Sequence, residues 1–203
     1  MILSAKFNFI FVKTRKTAGS TVEKLLYDHL GKGDVCTGSE RDRTPSLNIE
    51  PGTNGHLGCE QIRGMVGNDF FENAIKITIE RNPWDKVVSS YFWHKKIKPH
   101  IFSGMDFEEY VTTCPLIPFD EPMWSTNKII LVDKIFKQEN LTELFSYFRQ
   151  NYGIDVGQDM IEATRCKSGI RSVKDYRDLH TIKTKRFIES KFAFSIEKLG
   201  YEY

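Results

Sequence analysis

Lys16 stands in a short loop of small and hydroxyl-bearing residues that could bind an anion. The loop follows an apolar, alternating run at 7–12, which predicts a buried strand. It leads into apolar residues at helical spacing, and Ser20 and Glu23 have the spacing of a capping box. The amide groups and dipole of a helix N-terminus favour an anion, and a lysine beside them adds positive charge. The stretch therefore predicts a phosphate-binding loop.

An ordinary structural interpretation fits the same loop. A strand, a loop and a capped helix form a common unit of α/β proteins, so Lys16 could simply point into water. The spacing also departs from the nucleotide triphosphatase motif, in which a glycine directly precedes the lysine, because here Gly19 follows Lys16. Taken alone, the loop leaves both interpretations open.

Arg81 and Ser89 belong to a second junction of the same kind. Isoleucines alternate with polar residues over 75–80, which predicts a strand, and the Asn-Pro pair after Arg81 is typical of a helix start. Ligands of an open parallel sheet bind outside the carboxyl ends of its strands, where Arg81 and the Lys16 loop are both expected. Two separated cationic sites predict a ligand with two anionic groups.

The rest of the chain supplies the elements that hold these junctions. A further strand is predicted at 127–136 and a short one near Val35. Helices are predicted at 59–66, at 141–152 and at about 181–199. Strands that run into helices in this way indicate an α/β fold.

The composition is that of one globular domain. The chain has 203 residues, of which 40% are hydrophobic and 28% charged, and its net charge of +2 is too small to indicate a nucleic-acid-binding protein. The 4 cysteines form no C-x-x-C pair, which argues against a zinc site and favours free thiols in a reducing compartment. Because no apolar run approaches about 18 residues and the start lacks a cleavage-site pattern, we expect a cytoplasmic protein without a membrane partner.

The two junctions together resemble the sulfotransferases that use 3′-phosphoadenosine 5′-phosphosulfate (PAPS). Within them, the carbohydrate sulfotransferases of the heparan sulfate 2-O type, with their small bacterial and viral relatives, are the most similar. RKTAGST at 15–21 is similar to the PKTGGT-type 5′-phosphosulfate loop, and RNPWDKVVSSYFW at 81–93 is similar to the RNPWDRVVSxYxx-type 3′-phosphate element. FKQENL at 136–141 resembles the RFENL segment, and GYEY at 200–203 resembles the usual last turn. The resemblance spans nearly the whole chain.

The resemblance implies a P-loop-like three-layer α/β fold, with a central, mainly parallel sheet flanked by helices, in a single domain over 1–203. It implies PAPS as the cofactor, 3′-phosphoadenosine 5′-phosphate (PAP) as its product, and no metal. The residues that it assigns to cofactor binding are Arg15, Lys16, Thr17, Ala18, Gly19, Ser20, Thr21, Arg81 and Ser89. Lys167 and Arg171 would close over the nucleotide as the family's C-terminal loop does, although a solvated basic loop is the alternative.

The resemblance also implies in-line transfer of a sulfuryl group to an acceptor hydroxyl, with Lys16 at the leaving oxygen, where negative charge develops. In the 2-O-type relatives the general base is a histidine in a short Gly-His segment, which corresponds to His56. A neutral imidazole suits proton abstraction near neutral pH. A lone loop histidine is more often a surface or capping residue, and the other histidines are alternatives, with Glu60 or Glu80 as the base if His56 points away.

Three positions depart from the family pattern without removing a ligand group. Arg15 replaces the usual proline, Ala18 replaces a glycine and Lys86 replaces a common arginine. The change at Arg15 could alter the stiffness of the loop, because proline fixes its own backbone angle.

The sequence leaves more than one function open. The leading hypothesis is an enzyme whose acceptor is an oligosaccharide or other glycan, and the basic run at 94–100 could contact an acidic one. The second is a non-catalytic module that binds PAP or another nucleotide on the same fold. A small kinase with a degenerate phosphate loop is disfavoured, because the triphosphatase motif is missing.

Overall fold

The computed structural model describes residues 1–37, 55–163 and 170–203, and the chain divides into two compact units. Unit 1 comprises Met1–Glu80 and Pro122–Cys166. Unit 2 comprises Arg81–Glu121 and Lys167–Tyr203. Each unit has its own hydrophobic core.

The chain alternates short strands with helices. The strands are β1 Ile2–Ser4, β2 Phe9–Val12, β3 Val35–Cys36, β4 Ile75–Glu80, β5 Ser125–Thr126, β6 Ile129–Ile130 and β7 Lys134–Lys137. The helices are α1 Gly19–Leu26, α2 Cys59–Val66, α3 Asn68–Asn73, α4 Pro83–Ile97, α5 Pro99–Phe102, α6 Phe107–Thr113, α7 Glu121–Trp124, α8 Leu141–Tyr152, α9 Gln158–Ala163, α10 Ile182–Lys191 and α11 Ala193–Leu199. Among these helices, none is long and apolar enough to cross a membrane in the part of the chain that the structure describes.

Unit 1 is built on a sheet of 5 strands in the order β3-β1-β2-β4-β7. β2, β4 and β7 run parallel, with Phe9 opposite Ile75 and Ile79 opposite Phe136. β1 runs antiparallel to both β2 and β3. The α/β class is therefore confirmed, and the sheet is mixed, because β1 runs opposite to the other strands of this sheet.

A tight turn explains the reversed direction of β1. The chain reverses between β1 and β2 through Asn8, whose φ of 54° lies in the left-handed region that asparagine tolerates. Asp34 holds this turn, because its carboxylate accepts hydrogen bonds from the Ala5 amide at 2.8 Å and the Ser4 hydroxyl at 2.7 Å. A short connection of this kind can join only antiparallel strands, since parallel ones need a long crossover.

Helices α1 and α8 supply the apolar cover of the sheet in unit 1. Val22 and Leu26 of α1 are buried with Phe9 and Phe11 of β2. From α8, Phe148 places its ring 5.3 Å from that of Phe9. The core thus holds β2 and α1, the two elements on either side of the Lys16 loop.

Unit 2 is a helical cluster around α4. Asn82 caps this helix, because its side chain accepts from the amides of Trp84 at 3.1 Å and Asp85 at 3.3 Å. Val88 of α4 and Ile188 of α10 belong to the core of this unit. The predicted start of α4 is confirmed. Arg81 directly precedes the capping residue, so the cap fixes the backbone next to Arg81.

The structure divides two of the long elements that the sequence predicts. The strand expected at 127–136 separates into β6 and β7, and the helix expected at 181–199 divides into α10 and α11 at Phe192. The strand expected at 7–12 begins only at Phe9. The helix expected at 59–66 is confirmed as α2.

Candidate functional site

The loop between β2 and α1 has an unusual backbone. Lys16 and Ala18 both have φ of 63°, although neither is a glycine. Left-handed residues of this kind cost free energy and are found preferentially where a loop must keep a particular shape. Ala18 is also the N-cap of α1, so the left-handed turn directly starts the helix.

The predicted capping box at the start of α1 is wrong. The N-cap position is occupied by Ala18, so Ser20 lies inside the first turn, and α1 has no side-chain cap. Glu23 is instead buried, with 1% of its surface exposed. Its carboxylate pairs with the Lys13 ammonium and with the amino group of Met1. Glu23, which the local spacing assigned to the cap, therefore forms ion pairs inside unit 1 instead.

Lys13 is a buried structural cation in this loop. Only 6% of its surface is exposed, and its stem lies against α1 where Gly19 leaves room. A Cβ at Gly19 would stand 2.7 Å from Lys13 Cγ, so any larger residue would displace the lysine. Sequence reasoning missed Lys13, and its one signal is a lysine directly after a fully apolar strand.

Two threonines tie the loop to the sheet. The Thr17 hydroxyl donates to the Thr14 carbonyl at 3.1 Å, and the Thr14 hydroxyl donates to the Ile79 carbonyl of β4. Thr17, which the resemblance assigns to cofactor binding, therefore also stabilises the loop itself. Of the other assigned loop residues, Arg15, Lys16 and Ser20 are partly buried, and Thr21 is buried.

His56 lies against the same loop. Its Nδ1 and the backbone carbonyl of Lys13 are 2.9 Å apart. Because a carbonyl oxygen only accepts, Nδ1 carries the proton, and in the neutral imidazole Nε2 is the basic nitrogen. The structure thus brings His56 and the loop that carries Lys16 together within unit 1.

Gly55 directly precedes His56, and because it has no side chain, Thr37 can lie close to its backbone. A Cβ at Gly55 would lie 2.6 Å from the Thr37 hydroxyl. The Gly55 carbonyl accepts from the Met1 amino group at 3.2 Å, and that group also donates to Thr37 at 3.0 Å. Burial lowers the pKa of this amino group to about 6, against the opposing effect of Glu23.

The alternative carboxylate bases have other partners. Glu60 is exposed and pairs with Arg63 at 2.8 Å. Glu80 is buried at the end of β4 and accepts from the indole of Trp124 at 3.1 Å. Glu60 and Glu80 thus have partners in α2 and α7, respectively, whereas His56 contacts the backbone of Lys13.

Asp85 joins the cations of unit 2. Arg81 reaches its carboxylate with Nη2 at 2.6 Å and Nε at 3.0 Å, and Arg171 pairs with its other oxygen. The side chains of Arg81, Arg171 and Asp85 together carry one positive charge. Ser89, one helical turn beyond Asp85, is partly buried. The structure therefore brings Arg81 and Arg171 together, through a residue that the sequence did not single out.

Backbone carbonyls also anchor Arg171. Its Nε donates to Val173 at 2.5 Å, and its Nη2 donates to the Lys174 carbonyl. Lys167, the companion that the sequence predicted, lies outside the described residues.

Within 1–37, 55–163 and 170–203, no group of three or more His, Cys, Asp or Glu side chains could hold a metal ion. Cys36, Cys59 and Cys114 are free and buried. Burial raises the pKa of Cys59 to about 12, so this thiol is unreactive at neutral pH.

The candidate residues form two clusters, one around Glu23, Lys13 and His56 and one around Asp85. With the fold, they define an α/β protein with a strained, cation-bearing loop at a strand-to-helix junction. No family model matches the chain. An uncharacterized protein of Archaeoglobus fulgidus is 27% identical over 118 residues, which are 55% of this chain and 95% of that protein. This similarity carries no assignment of activity.

Proposed function

We propose that the protein is a PAPS-dependent sulfotransferase with a P-loop-like fold, which acts on a hydroxyl group of an oligosaccharide or other glycan. The observation that carries this function is the hydrogen bond from His56 to the backbone of Lys13, 2.9 Å long. It leaves Nε2 as the basic nitrogen of a ring that contacts the loop carrying Lys16, which leads into α1. A base next to an anion-binding loop is the arrangement that transfer from an anionic donor requires.

The loop residues fit the 5′ end of the cofactor. Gly19 begins α1, and the first amides of a helix together with its dipole favour phosphate or sulfate. Lys16 adds a positive charge at the same loop. The cofactor supplies the sulfuryl group, and Lys16 stabilises the charge that develops on the oxygen linking this group to the 5′-phosphate.

His56 accounts for the proton of the reaction. As the acceptor oxygen forms its bond to sulfur, the bond between sulfur and the 5′-phosphate oxygen breaks. The acceptor proton passes to Nε2 of His56, and the electron pair of the broken bond leaves with PAP. The Nδ1 hydrogen bond to Lys13 stabilises the imidazolium that results, as a backbone acceptor does in other histidine bases.

Arg81, Ser89 and Arg171 fit the 3′-phosphate. A guanidinium binds phosphate oxygens through charge-assisted hydrogen bonds, and Asp85 holds two guanidinium groups whose N–H groups can donate to a phosphate. Asp85 orients them before binding.

The free state of the three described cysteines supports the expected cytoplasmic location.

Binding and transfer test the proposal separately. PAP affinity is measured by calorimetry without divalent metal, and transfer is measured with sulfur-labelled PAPS over a panel of glycans and phenols. We expect PAP to bind and label to reach at least one glycan. PAP binding without transfer to any acceptor would favour the non-catalytic nucleotide-binding module. Tight binding of ATP and magnesium that PAP does not displace would overturn the proposal in favour of a kinase.

A further inference from the structure

Glu23 stands at the centre of a buried charge cluster that leads to His56 by two routes. One carboxylate oxygen pairs with the Lys13 ammonium and the other with the Met1 amino group. All three groups are almost completely buried. A buried ion pair holds its members in a narrow geometry, because a partner that moves away leaves an uncompensated charge.

The first route runs through Lys13. Its ammonium is held by Glu23 and its stem by the close approach of Gly19, so both ends of the side chain are fixed. The backbone carbonyl of the same residue accepts from His56 Nδ1 at 2.9 Å. The position of this carbonyl decides which nitrogen of His56 carries the proton.

The second route runs through the Met1 amino group. It donates to the Gly55 carbonyl at 3.2 Å and to the Thr37 hydroxyl at 3.0 Å. Gly55 directly precedes His56, so this contact holds the backbone on which the imidazole is mounted. Glu23 therefore contacts the groups that fix both the ring and the main chain of His56.

We infer that Glu23 is a positioning residue for His56, which keeps the imidazole in the tautomer protonated on Nδ1. The inference rests on the proposed function, in which His56 is the general base. Glu23 acts through Lys13 and Met1 and does not itself contact the substrate. Without it the ring loses its fixed acceptor, and the basic Nε2 is no longer aimed at one place.

The experiment replaces Glu23 by glutamine, which keeps the shape but removes the charge. In protein labelled with ¹⁵N-histidine, the His56 signals are assigned by their loss in His56→Gln. We expect wild-type His56 to have a protonated Nδ1 and a pyridine-like Nε2 in its neutral form. In Glu23→Gln we expect the two nitrogen shifts to move towards each other, as the tautomers mix. The kcat for transfer should fall by about 10- to 100-fold, with KM changed by less than about 3-fold.

Glu72→Gln is the matched control. Glu72 is an exposed carboxylate of the same unit that pairs with Arg63 at 3.3 Å, and its loss should leave the His56 shifts and kcat unchanged. If Glu23→Gln does not fold, Lys13→Met takes its place, because it keeps the stem against Gly19 and leaves Glu23 paired with Met1. The same mixing of tautomers is expected.

Two results would overturn the inference. One is a wild-type His56 that is not protonated on Nδ1. The other is a folded Glu23→Gln or Lys13→Met protein with wild-type His56 shifts. Failure of the proposed function is seen differently, since the wild-type protein would transfer no sulfate while the nitrogen shifts still report on the cluster.

Discussion

His56 donates a hydrogen bond from Nδ1 to the backbone carbonyl of Lys13, 43 residues earlier in the chain and 2.9 Å away. This bond joins the segment before α2 to the loop at the end of β2. It defines the proton-bearing nitrogen of the ring, and so the nitrogen that can act as a base. One contact therefore links the candidate base to the candidate anion loop.

Replacing His56 by asparagine should separate binding from chemistry. The asparagine amide can still donate to Lys13, but it has no basic nitrogen. We expect PAP affinity within about 3-fold of wild type and a transfer rate lower by about 100- to 10,000-fold, the usual contribution of a general base. Calorimetry and the labelled-sulfate assay measure the two quantities. His29→Asn serves as the control, and wild-type turnover in His56→Asn would exclude His56 as the base.

Arg81→Gln should weaken binding only where the ligand has a 3′-phosphate. We expect the affinity for PAP to fall by about 10- to 100-fold, the effect of losing a charge-assisted contact, and that for adenosine 5′-phosphosulfate to stay the same. Competition calorimetry with both ligands checks this. Arg149→Gln removes an exposed arginine that pairs with Asp155 at 3.7 Å and should affect neither. Equal losses for the two ligands would mean that Arg81 does not recognise the 3′-phosphate.

Ala18→Gly and Gly19→Ala, at neighbouring positions of the loop, should change the free energy of unfolding in opposite directions. Ala18 has φ of 63°, a conformation that costs about 1–2 kcal/mol in an L-residue with a Cβ. After the greater chain entropy of glycine is subtracted, Ala18→Gly should raise the free energy of unfolding by up to about 1 kcal/mol. Gly19→Ala should lower it by about 1–3 kcal/mol, because the new methyl group collides with Lys13. Urea unfolding measures both, and a destabilising Ala18→Gly would contradict the account of the strained loop.

Local patterns predicted the elements around the site well. The isoleucine alternation of β4 and the Asn-Pro start of α4 are short-range signals, and both are confirmed. β1 was missed because a strand from Ile2 to Ser4 is too short to show a period. The mixed sheet follows from that strand, so the sequence predicted the class but not the direction of every strand.

The contacts that organise the two clusters could not be read from spacing. Glu23 fits a capping box locally, yet its partners are Met1 and Lys13, which only the fold brings to it. Asp85 likewise suits the first turn of α4 as a dipole partner, and its bond to Arg171 spans 86 residues. Such long-range pairs leave no periodic trace in a single sequence.

Lys86→Met should strongly destabilise the protein. Lys86 and Asp120 form an ion pair of 2.8 Å, with only 1% and 0% of their side chains exposed. Removing the ammonium leaves the carboxylate buried without this cation, which costs about 3–5 kcal/mol. The double variant Lys86→Met with Asp120→Leu should recover most of this loss, since an apolar pair of similar size needs no compensation.

Thermal unfolding compares these variants with Lys183→Met. Lys183 makes an exposed pair with Glu108 at 2.9 Å, and breaking it should cost about 0–1 kcal/mol. A loss in Lys86→Met as small as that in Lys183→Met would show that burial does not govern the strength of the Lys86 pair.

His180 should make the protein less stable in mild acid. Burial lowers its pKa, although the Trp84 carbonyl and the Asp85 charge favour the protonated form. The ring makes edge contacts with Phe107 and Tyr203, and its Nε2 is 3.3 Å from the Trp84 carbonyl. Because the folded pKa lies below that of the unfolded chain, the contribution of the neutral ring is complete above about pH 6.5 and is lost as the pH falls through the folded value.

We therefore expect the free energy of unfolding, measured by urea titration between about pH 7.5 and about pH 5, to fall less steeply in His180→Gln than in the wild type. Glutamine keeps a donor for the Trp84 carbonyl but has no group that titrates in this range. The difference in slope should not exceed about 1.4 kcal/mol per pH unit, the limit for one proton. His100→Gln, at an exposed histidine, should retain the wild-type slope. Parallel curves for wild type and His180→Gln would mean that this ring does not resist protonation in the folded protein.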